Sequence, residues 1–363
     1  MARGRSIAGI TALIAAIVVP IVTTYLCRPV PGRNWEGAHI RSAIDLGRYD
    51  DTTRGLITGY NYYLLQQFAK ENGATIEILH SYRGETACVD SLRNGTLDLV
   101  AIPYADSTVV DSVLVSDPVG SISLWLVPGD DDERVKVIND WLRESSQKEE
   151  FQEARKKFMD IYDPLRRAGT GKKYDYISPY DSLIRMYADT LGWDWRMLAA
   201  VIYQESKFRI GVRSRKGASG IMQMMPSTAG KLAAEDIFNP ETGIKCGAVY
   251  LKSLSDRYAS VAADPAEQQK LALAAYNAGV GRIKDCINFA TLNGSFSGRW
   301  DELVAVLPQM ADESILDVDT VKLGVFKGVE TVAYVDRVLS LYEAFCRICP
   351  SWNAHKRQDP HEK

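Results

Sequence analysis

Histidine is scarce in this chain of 363 residues. The four histidines are His39, His80, His355 and His361, so none lies between residues 81 and 354. A Ser-His-Asp or Cys-His catalytic site and a histidine-ligated zinc site are therefore excluded from that long stretch. Chemistry in this part of the chain must use carboxylates, hydroxyls, amides or lysines.

The chain also lacks an excess of basic residues. Its 43 Lys and Arg residues and 46 Asp and Glu residues give a net charge of −3. A protein that binds nucleic acid usually carries a basic excess, so we expect no nucleic-acid partner. The hydrophobic share of 46% and the charged share of 25% are typical of a globular protein, and the length indicates two domains or three.

One long uncharged run lies near the N-terminus, over residues 6–26, after Arg3 and Arg5. It is long enough to span a bilayer, and the basic residues before it favour a cytoplasmic N-terminus. A cleaved signal peptide is the alternative. Both interpretations predict export, with residues 1–35 acting as the signal or the membrane anchor.

Six cysteines are present, and an exported chain could pair them. Cys246 with Cys286 is the first pair to test, and free thiols are an equally good interpretation. Cys346 and Cys349 form a Cys-x-x-Cys sequence that lacks a second cysteine pair and a nearby histidine. We therefore predict no metal site there.

Strand-like and helix-like segments alternate at the start of the chain, and helical patterns dominate its second half. The alternation predicts an α/β domain with a parallel or mixed sheet over residues 36–162. A stretch with Pro, Gly and basic residues predicts a linker at 163–178. An all-α domain is predicted at 179–350, and residues 351–363 form a polar tail. The predicted helices of that domain are 179–192, 193–206, 227–235, 241–259, 265–278, 280–293, 299–307 and 328–347.

Four short motifs in the helical domain combine polar side chains with small or apolar residues. They are Glu-Ser-x-Phe at 205–208, Gly-x-Met-Gln-x-Met-Pro-x-Thr-Ala at 220–229, Ala-Tyr-Asn-Ala-Gly at 275–279 and Glu-Thr-x-x-Tyr-Val at 330–335. Each alone has a structural explanation, as a helix cap, core packing, a helix stop or a packed aromatic. An apolar helix end beside methionines would raise the pKa of Glu205 by desolvation, and a carboxyl group with a raised pKa can act as a general acid near neutral pH.

In order and spacing, the four motifs resemble the catalytic domain of lysozyme-like lytic transglycosylases of the soluble lytic transglycosylase type. The resemblance covers about residues 176–347 and is strongest to the membrane-bound lytic transglycosylase F branch. It implies an α+β multidomain protein, with an α/β solute-binding-like domain before an all-α lysozyme-like domain. The segment 36–160 has about half the length of a two-lobed binding protein, and 101–120 lacks a carboxylate-binding arginine, so we expect a degenerate, single-lobe domain.

The resemblance implies non-hydrolytic cleavage of the β-1,4 bond between N-acetylmuramic acid and N-acetylglucosamine in peptidoglycan strands. Glu205 would act as acid and then as base on the muramoyl 6-hydroxyl, which gives 1,6-anhydro ends without a metal or organic cofactor. No second acid accompanies Glu205 in its motif, whereas most glycosidases pair two carboxylates. Asp194 is better interpreted as a helix cap.

The resemblance also implies roles for eight further residues. Sugar or carboxyl contacts are implied for Ser219 and Gln223, cleft lining for Met222 and Met224, positioning of the reacting sugar for Tyr276 and Asn277, and a far wall for Glu330 and Tyr334.

The chain departs from the branch pattern at two places. Gly324-Val-Phe-Lys-Gly328 replaces Gly-Tyr-x-Arg-Gly, and Gly281-Arg282 stands where Gly-His is common. Two alternative functions stay open: a hydrolytic muramidase and a non-catalytic peptidoglycan-binding scaffold. The expected location is the periplasmic side of the bacterial envelope, on the inner membrane if the N-terminal segment is uncleaved and peripheral to the outer membrane if it is cleaved. The sequence identifies no protein partner there.

Overall fold

The structure is a computed structural model that describes residues 35–45, 54–81, 84–104, 112–120, 123–160, 168–232, 234, 236–314, 318 and 321–350. The chain divides into two compact units. The first unit holds the described residues up to Asp45 and those between Tyr62 and Ser145. The second holds the described residues between Arg54 and Asn61 and those from Ser146 onward.

A five-stranded mixed sheet forms the centre of the first unit. Its strands are β1 (His39–Asp45), β2 (Thr75–Ser81), β3 (Leu99–Pro103), β4 (Val113–Val115) and β5 (Ser123–Pro128), in the order β2-β1-β3-β5-β4. Strand β1 is parallel to β2 and β3, and Ala43 pairs in register with Leu79 and Val100. Strand β5 is antiparallel to β3 and β4. The predicted mixed α/β arrangement is confirmed, although the short strand β4 was not predicted.

Aromatic rings form much of the core of the first unit. Its helices are α1 (Arg54–Glu71), which belongs to this unit from Tyr62 onward, α2 (Glu85–Arg93) and α3 (Asp132–Ser145). Phe68 of α1 packs edge-on against Trp125 of β5 at 5.8 Å and against Trp141 of α3 at 5.3 Å. Edge-to-face packing of this kind adds stability beyond the burial of the rings. It fixes these two helices against the sheet.

The helical region that follows β5 consists of two helices. It is interrupted at residues 146–148, so that helix α4 (Glu149–Asp160) is separate from α3. Helix α4 was predicted to belong to the first domain, and it groups with the second unit. The physical reason is the burial of Phe158, whose ring lies 5.8 Å from that of Tyr60 and 5.9 Å from that of Tyr180. The domain limits 36–162, 163–178 and 179–350 otherwise stay a prediction.

The second unit is built from helices. They are α5 (Asp181–Leu191), α6 (Trp195–Ser206), α7 (Pro226–Lys231), α8 (Pro240–Tyr258), α9 (Pro265–Ala278), α10 (Val280–Leu292), α11 (Trp300–Val306), a 3-10 turn (Leu307–Ala311) and α12 (Gly328–Ile348). The eight helices predicted in this domain are confirmed, although α7 ends at Lys231, four residues earlier than expected. Local sequence sets several starts: Asp264 accepts hydrogen bonds from two backbone N–H groups of the first turn of α9.

The core of the second unit is organised around α6. Residues 195–202 of this helix are all buried, and α6 packs against α5 and α12. The long helix α12 packs in turn against α9. This arrangement places the C-terminal end of α6 beside α9 and α12, the helices that carry the third and fourth motifs.

Three predictions concern the chain ends and the cysteines. The segment 6–26 and the tail 351–363 lie outside the described residues. Across the described ranges, no helix combines the length and apolar character needed to cross a bilayer. Cys246 and Cys286 are free thiols, so the disulfide singled out for testing is not formed; both are buried and pack as small apolar side chains.

Candidate active site

The candidate acid lies at the end of a buried helix. Glu205 occupies the last turn of α6, where the helix emerges from the core. The residues Lys207 and Phe208, which follow shortly after, adopt left-handed φ values of 54° and 62°. Such conformations cost free energy in residues other than glycine and persist only where the surrounding structure enforces them. The chain therefore turns away sharply just after Glu205 and leaves its carboxyl group at the end of the helix.

Burial governs the protonation of this carboxyl group. Desolvation raises the pKa of Glu205 and a hydrogen bond from Tyr334 lowers it by a smaller amount, so that it lies at about 7 instead of its ordinary value of 4.5. The Tyr334 hydroxyl donates to Glu205 Oε1 at 2.6 Å. At neutral pH the carboxyl group therefore populates both its protonated and its ionised form, which suits a group that gives and then takes a proton.

Helix α12 supplies the hydrogen-bond donor. Tyr334 is only 3% exposed, and burial together with the charge of Glu205 raises the pKa of its hydroxyl well above 10. The hydroxyl therefore stays protonated and remains a donor. One turn earlier, Thr331 Oγ1 donates to Asn277 Oδ1 at 3.0 Å. This bond ties the end of α9 to α12 beside the acid.

The methionine-containing motif forms a tight loop. Ser219 and Met224 exchange two backbone hydrogen bonds of 3.0 Å. Gln223 has a left-handed φ of 49°, and its side-chain nitrogen donates to two backbone carbonyls at 2.9 and 3.0 Å. The Ser219 hydroxyl donates to Gly217 O at 3.0 Å, and the residue is buried. The amide of Gln223 and the hydroxyl of Ser219 thus hold the loop in shape.

Tyr276 connects this loop to the acid. Its hydroxyl donates to Met222 O at 2.7 Å and lies 3.2 Å from Met224 Sδ. Burial, and then the charge of Glu205, raise the pKa of Tyr276 well above 10. Met222 and Met224 are 0% and 3% exposed, so both are buried, and their contacts with the hydroxyl of Tyr276 help to hold that side chain in place.

A cavity of about 520 Å³ opens in front of Glu205. It is lined by Gln204, Glu205, Asn277, Val329, Glu330, Ala333, Tyr334 and Arg337. Four of the nine predicted site residues are thereby brought together: Glu205, Asn277, Glu330 and Tyr334. The other five do not line the cavity. Four of them belong to the methionine-containing loop, namely Ser219, Met222, Gln223 and Met224, and the fifth, Tyr276, bonds to that loop.

Sequence reasoning missed four lining residues, namely Gln204, Val329, Ala333 and Arg337. Helical periodicity was the signal that could have found most of them. Residues three or four positions apart share a helix face, so a face that contains Glu330 and Tyr334 also presents Ala333 and Arg337.

The two carboxyl groups of the cavity have different surroundings. The Glu330 side chain is 69% exposed, and the Lys327 ammonium lies 3.8 Å from it. Glu205, in contrast, is half-buried, and no cation among the described residues forms an ion pair with it. Among those residues, no group of three or more His, Cys, Asp and Glu side chains is arranged to hold a metal ion.

The two segments that depart from the branch pattern, 281–282 and 324–328, contact each other. The Arg282 guanidinium lies over the ring of Phe326, 5.1 Å from its centre. Asp285, which is 5% exposed, accepts hydrogen bonds of 2.9 Å from the backbone N–H groups of Lys322 and Leu323. Helix α10 therefore holds the segment that leads into α12.

Sequence comparison relates part of this chain to known transglycosylases. Residues 182–291 match the family model described as the Transglycosylase SLT domain. The membrane-bound lytic murein transglycosylase F of Desulfosudis oleivorans is 36% identical over 170 residues, which cover 47% of this chain and 37% of that protein. The protein of the same name from Marinobacter nauticus is 27% identical over 245 residues, which cover 66% of this chain and 48% of that protein.

Among solved structures, the 70 kDa soluble lytic transglycosylase of Escherichia coli is 21% identical, with coverage of 58% of this chain and 32% of that one and a TM-score of 0.35. The chain spans less than half the length of the two curated relatives. The family match confirms the predicted resemblance over residues 182–291, which hold the first three of the four motifs.

Proposed function

We propose that this chain is a peptidoglycan lytic transglycosylase and that Glu205 is its acid and base. The observation that carries the proposal is the raised pKa of Glu205, about 7, at the wall of a cavity. The match of 182–291 to the transglycosylase domain supports it, as do relatives named lytic murein transglycosylase.

In the first step, protonated Glu205 gives its proton to the glycosidic oxygen between N-acetylmuramic acid and N-acetylglucosamine. The bond from the muramoyl C1 to that oxygen breaks as the proton arrives. The Tyr334 hydroxyl, 2.6 Å from Oε1, stabilises the carboxylate that remains.

In the second step, the carboxylate removes the proton from the muramoyl 6-hydroxyl, and O6 bonds to C1. The product is a 1,6-anhydro ring, Glu205 is protonated again, and no water is consumed. Because the attacking hydroxyl belongs to the same sugar, its effective concentration at C1 is high.

The environment of the second carboxyl group favours this route over hydrolysis. A hydrolytic enzyme normally uses a second carboxylate as nucleophile or as the base for a water molecule. Glu330 is mostly exposed and lies beside Lys327, so its charge is shared with an ammonium group. We propose that it binds sugar hydroxyls with Asn277, while Tyr276 holds the methionine-containing loop in place through its bond to Met222 O.

The remaining parts of the chain have proposed roles in the same activity. Ser219, Met222, Gln223 and Met224 maintain the shape of the loop to which Tyr276 bonds, and so support the cavity without lining it. The first unit, with its single five-stranded sheet, is proposed to be a degenerate, one-lobe solute-binding-like domain that spaces or docks the enzyme. Residues 6–26 are proposed to attach the protein to a membrane on the periplasmic side of the envelope.

The decisive experiment is mass spectrometry of purified peptidoglycan digested by the full chain and by Glu205→Gln. Muropeptides with 1,6-anhydromuramic acid ends are expected from the unchanged chain and not from the variant. Glu343→Gln is the matched control, because Glu343 is an exposed carboxylate of α12 beside Arg347 and outside the cavity lining. It should leave the products unchanged.

Two other results would replace the proposal. Products one water heavier would make the protein a muramidase. An absence of products from a chain that still sediments with peptidoglycan would make it a non-catalytic binding protein.

A further inference from the structure

The cavity in front of Glu205 contains a cation that the proposed reaction does not use. Arg337 is exposed, and it is the one cation among the eight residues that line the cavity. Within the described ranges, no carboxylate lies within ion-pair distance of its guanidinium. Glu330, the other charged residue of the α12 face, has Lys327 as its neighbour at 3.8 Å.

Two other arginines of the second unit have carboxylate partners. Arg196 is 10% exposed in its side chain, lies 2.5 Å from Asp194 and donates to Cys349 O at 3.0 Å. Arg347, on the same helix as Arg337, lies 4.0 Å from Glu343. Arg337 has no such contact with the described residues and lines the cavity, so a structural role does not account for it.

Helical geometry gives the position of Arg337 relative to the acid. Glu330, Tyr334 and Arg337 occupy successive turns of one face of α12, and Tyr334 holds Glu205 by its hydrogen bond. Arg337 lies about 4.5 Å further along the helix axis than Tyr334, on the side away from Glu330. The positive charge of Arg337 lowers the pKa of the Tyr334 hydroxyl, whereas burial raises that pKa by a larger amount. The guanidinium is therefore close to the proposed cleavage point and on one defined side of it.

We propose that Arg337 binds a carboxylate of the substrate and thereby makes the site selective for glycan strands that carry one. This inference rests on the proposed function. A planar guanidinium offers two parallel N–H donors that match the two oxygens of a carboxylate. Peptidoglycan bears carboxylates at the muramoyl residues, either on the peptide stem or, where the stem has been removed, on the lactyl group. Both sources share this chemistry.

The test compares the full chain with Arg337→Gln and Arg337→Lys on three preparations of glycan strand. The first carries peptide stems, the second has been stripped to free lactyl carboxylates, and in the third these carboxylates have been converted to neutral amides. Arg347→Gln is the matched control, because it removes an arginine of the same helix from outside the cavity lining. Initial rates over a range of concentrations separate KM from kcat.

For Arg337→Gln we expect KM to rise about ten-fold on carboxylate-bearing strands, because a hydrogen-bonded charge pair is lost, while kcat changes less than about two-fold. On the amidated strands the variant and the unchanged chain should have the same KM. Arg337→Lys should recover part of the loss, and Arg347→Gln should show none. A loss confined to stem-bearing strands would assign the carboxylate to the peptide, and a loss confined to stripped strands would assign it to the lactyl group.

Two results would overturn the inference: an unchanged KM on all three preparations, or a fall in kcat with KM unaltered. If the unchanged chain cleaves none of them, the proposed function fails separately. The inference is then tested by binding of Glu205→Gln chains with and without Arg337→Gln to the same three preparations. Equal binding by both chains would overturn it.

Discussion

The substitution Tyr334→Phe tests the proposed protonation of the acid directly. The variant keeps the buried ring and removes only the hydroxyl that donates to Glu205 Oε1 at 2.6 Å. This hydrogen bond stabilises the ionised carboxylate and opposes the desolvation that raises the pKa of Glu205 to about 7. Its removal should therefore raise the pKa of Glu205 further.

The size of the change follows from the strength of the bond. A hydrogen bond to a charged group contributes about 1.5–3 kcal/mol, and one pKa unit corresponds to about 1.4 kcal/mol. Because Glu205 is half-buried and its cavity opens to solvent, water replaces part of the lost interaction, so the lower end of this range applies. We expect the pKa of Glu205 to rise by about one unit, to about 8.

The assay is the pH dependence of kcat/KM for release of 1,6-anhydromuropeptides. Protonated Glu205 starts the reaction, so activity falls as pH rises through its pKa. The midpoint of this alkaline limb should lie near 7 in the unchanged chain and near 8 in Tyr334→Phe. Tyr342→Phe is the matched control, because Tyr342 lies on the same helix and donates to Asp194 at 3.2 Å instead.

The test depends on the pH at the midpoint of the alkaline limb and not on the maximum value of kcat/KM. An alkaline limb that stays in place or moves to lower pH in Tyr334→Phe would refute the reasoning. It would mean either that Glu205 is not the group that titrates or that the hydroxyl stabilises its protonated form. A shift of the same size in Tyr342→Phe would point to a general change in the fold.

Two further predictions concern stability. Burial raises the folded pKa of Glu205 from 4.5 to about 7, so stability is lost as pH rises from 4.5 through 7. At about 1.4 kcal/mol per pKa unit, Glu205→Gln should stabilise the chain by about 3 kcal/mol at pH 8 and not at pH 4. Urea unfolding at both pH values measures this, and an equal effect at both would contradict it. A Cβ at Gly328 would lie 1.9 Å from Leu307 O, so Gly328→Ala should cost about 2 kcal/mol or more. Gly230→Ala, whose added Cβ meets no atom within 4 Å, should be neutral or slightly stabilising in the same measurement, and equal effects of the two would show that the contact at Gly328 is relieved without cost.

Local signals made the helices of the second unit predictable. Helix α9 has the bounds predicted for it, 265–278, because Asp264 and Pro265 mark its start and Gly279 its end within the sequence itself. The break at residues 146–148 is a weaker signal, since charged helical residues lie on both sides of it. Strand β4 has three half-buried residues and no alternating pattern long enough to identify it.

The candidate acid could also be predicted from the sequence, whereas its surroundings could not. Four ordered motifs indicated Glu205 as the candidate, and its position at the end of an apolar helix predicted a raised pKa. Tyr334, which tunes that pKa, is 129 positions away in the chain, and nothing in the spacing of the motifs states that the two side chains meet. Likewise, the sequence shows that Met222 and Met224 are apolar, but it does not show where they lie. In the structure both are buried and contact the Tyr276 hydroxyl, and neither lines the cavity.

The helices of the second unit, the four motifs, the candidate acid and the class of chemistry open to a stretch without histidine could all be predicted from local sequence. They depend on periodicity, capping residues and residue type, which act over a few neighbouring positions. Packing was needed to show that α4 groups with the second unit, that Tyr334 bonds to Glu205 and that Arg337 lines the same cavity. Values of pKa, cavities and long-range hydrogen bonds depend on which surfaces are buried together. Packing between distant parts of the chain determines that burial.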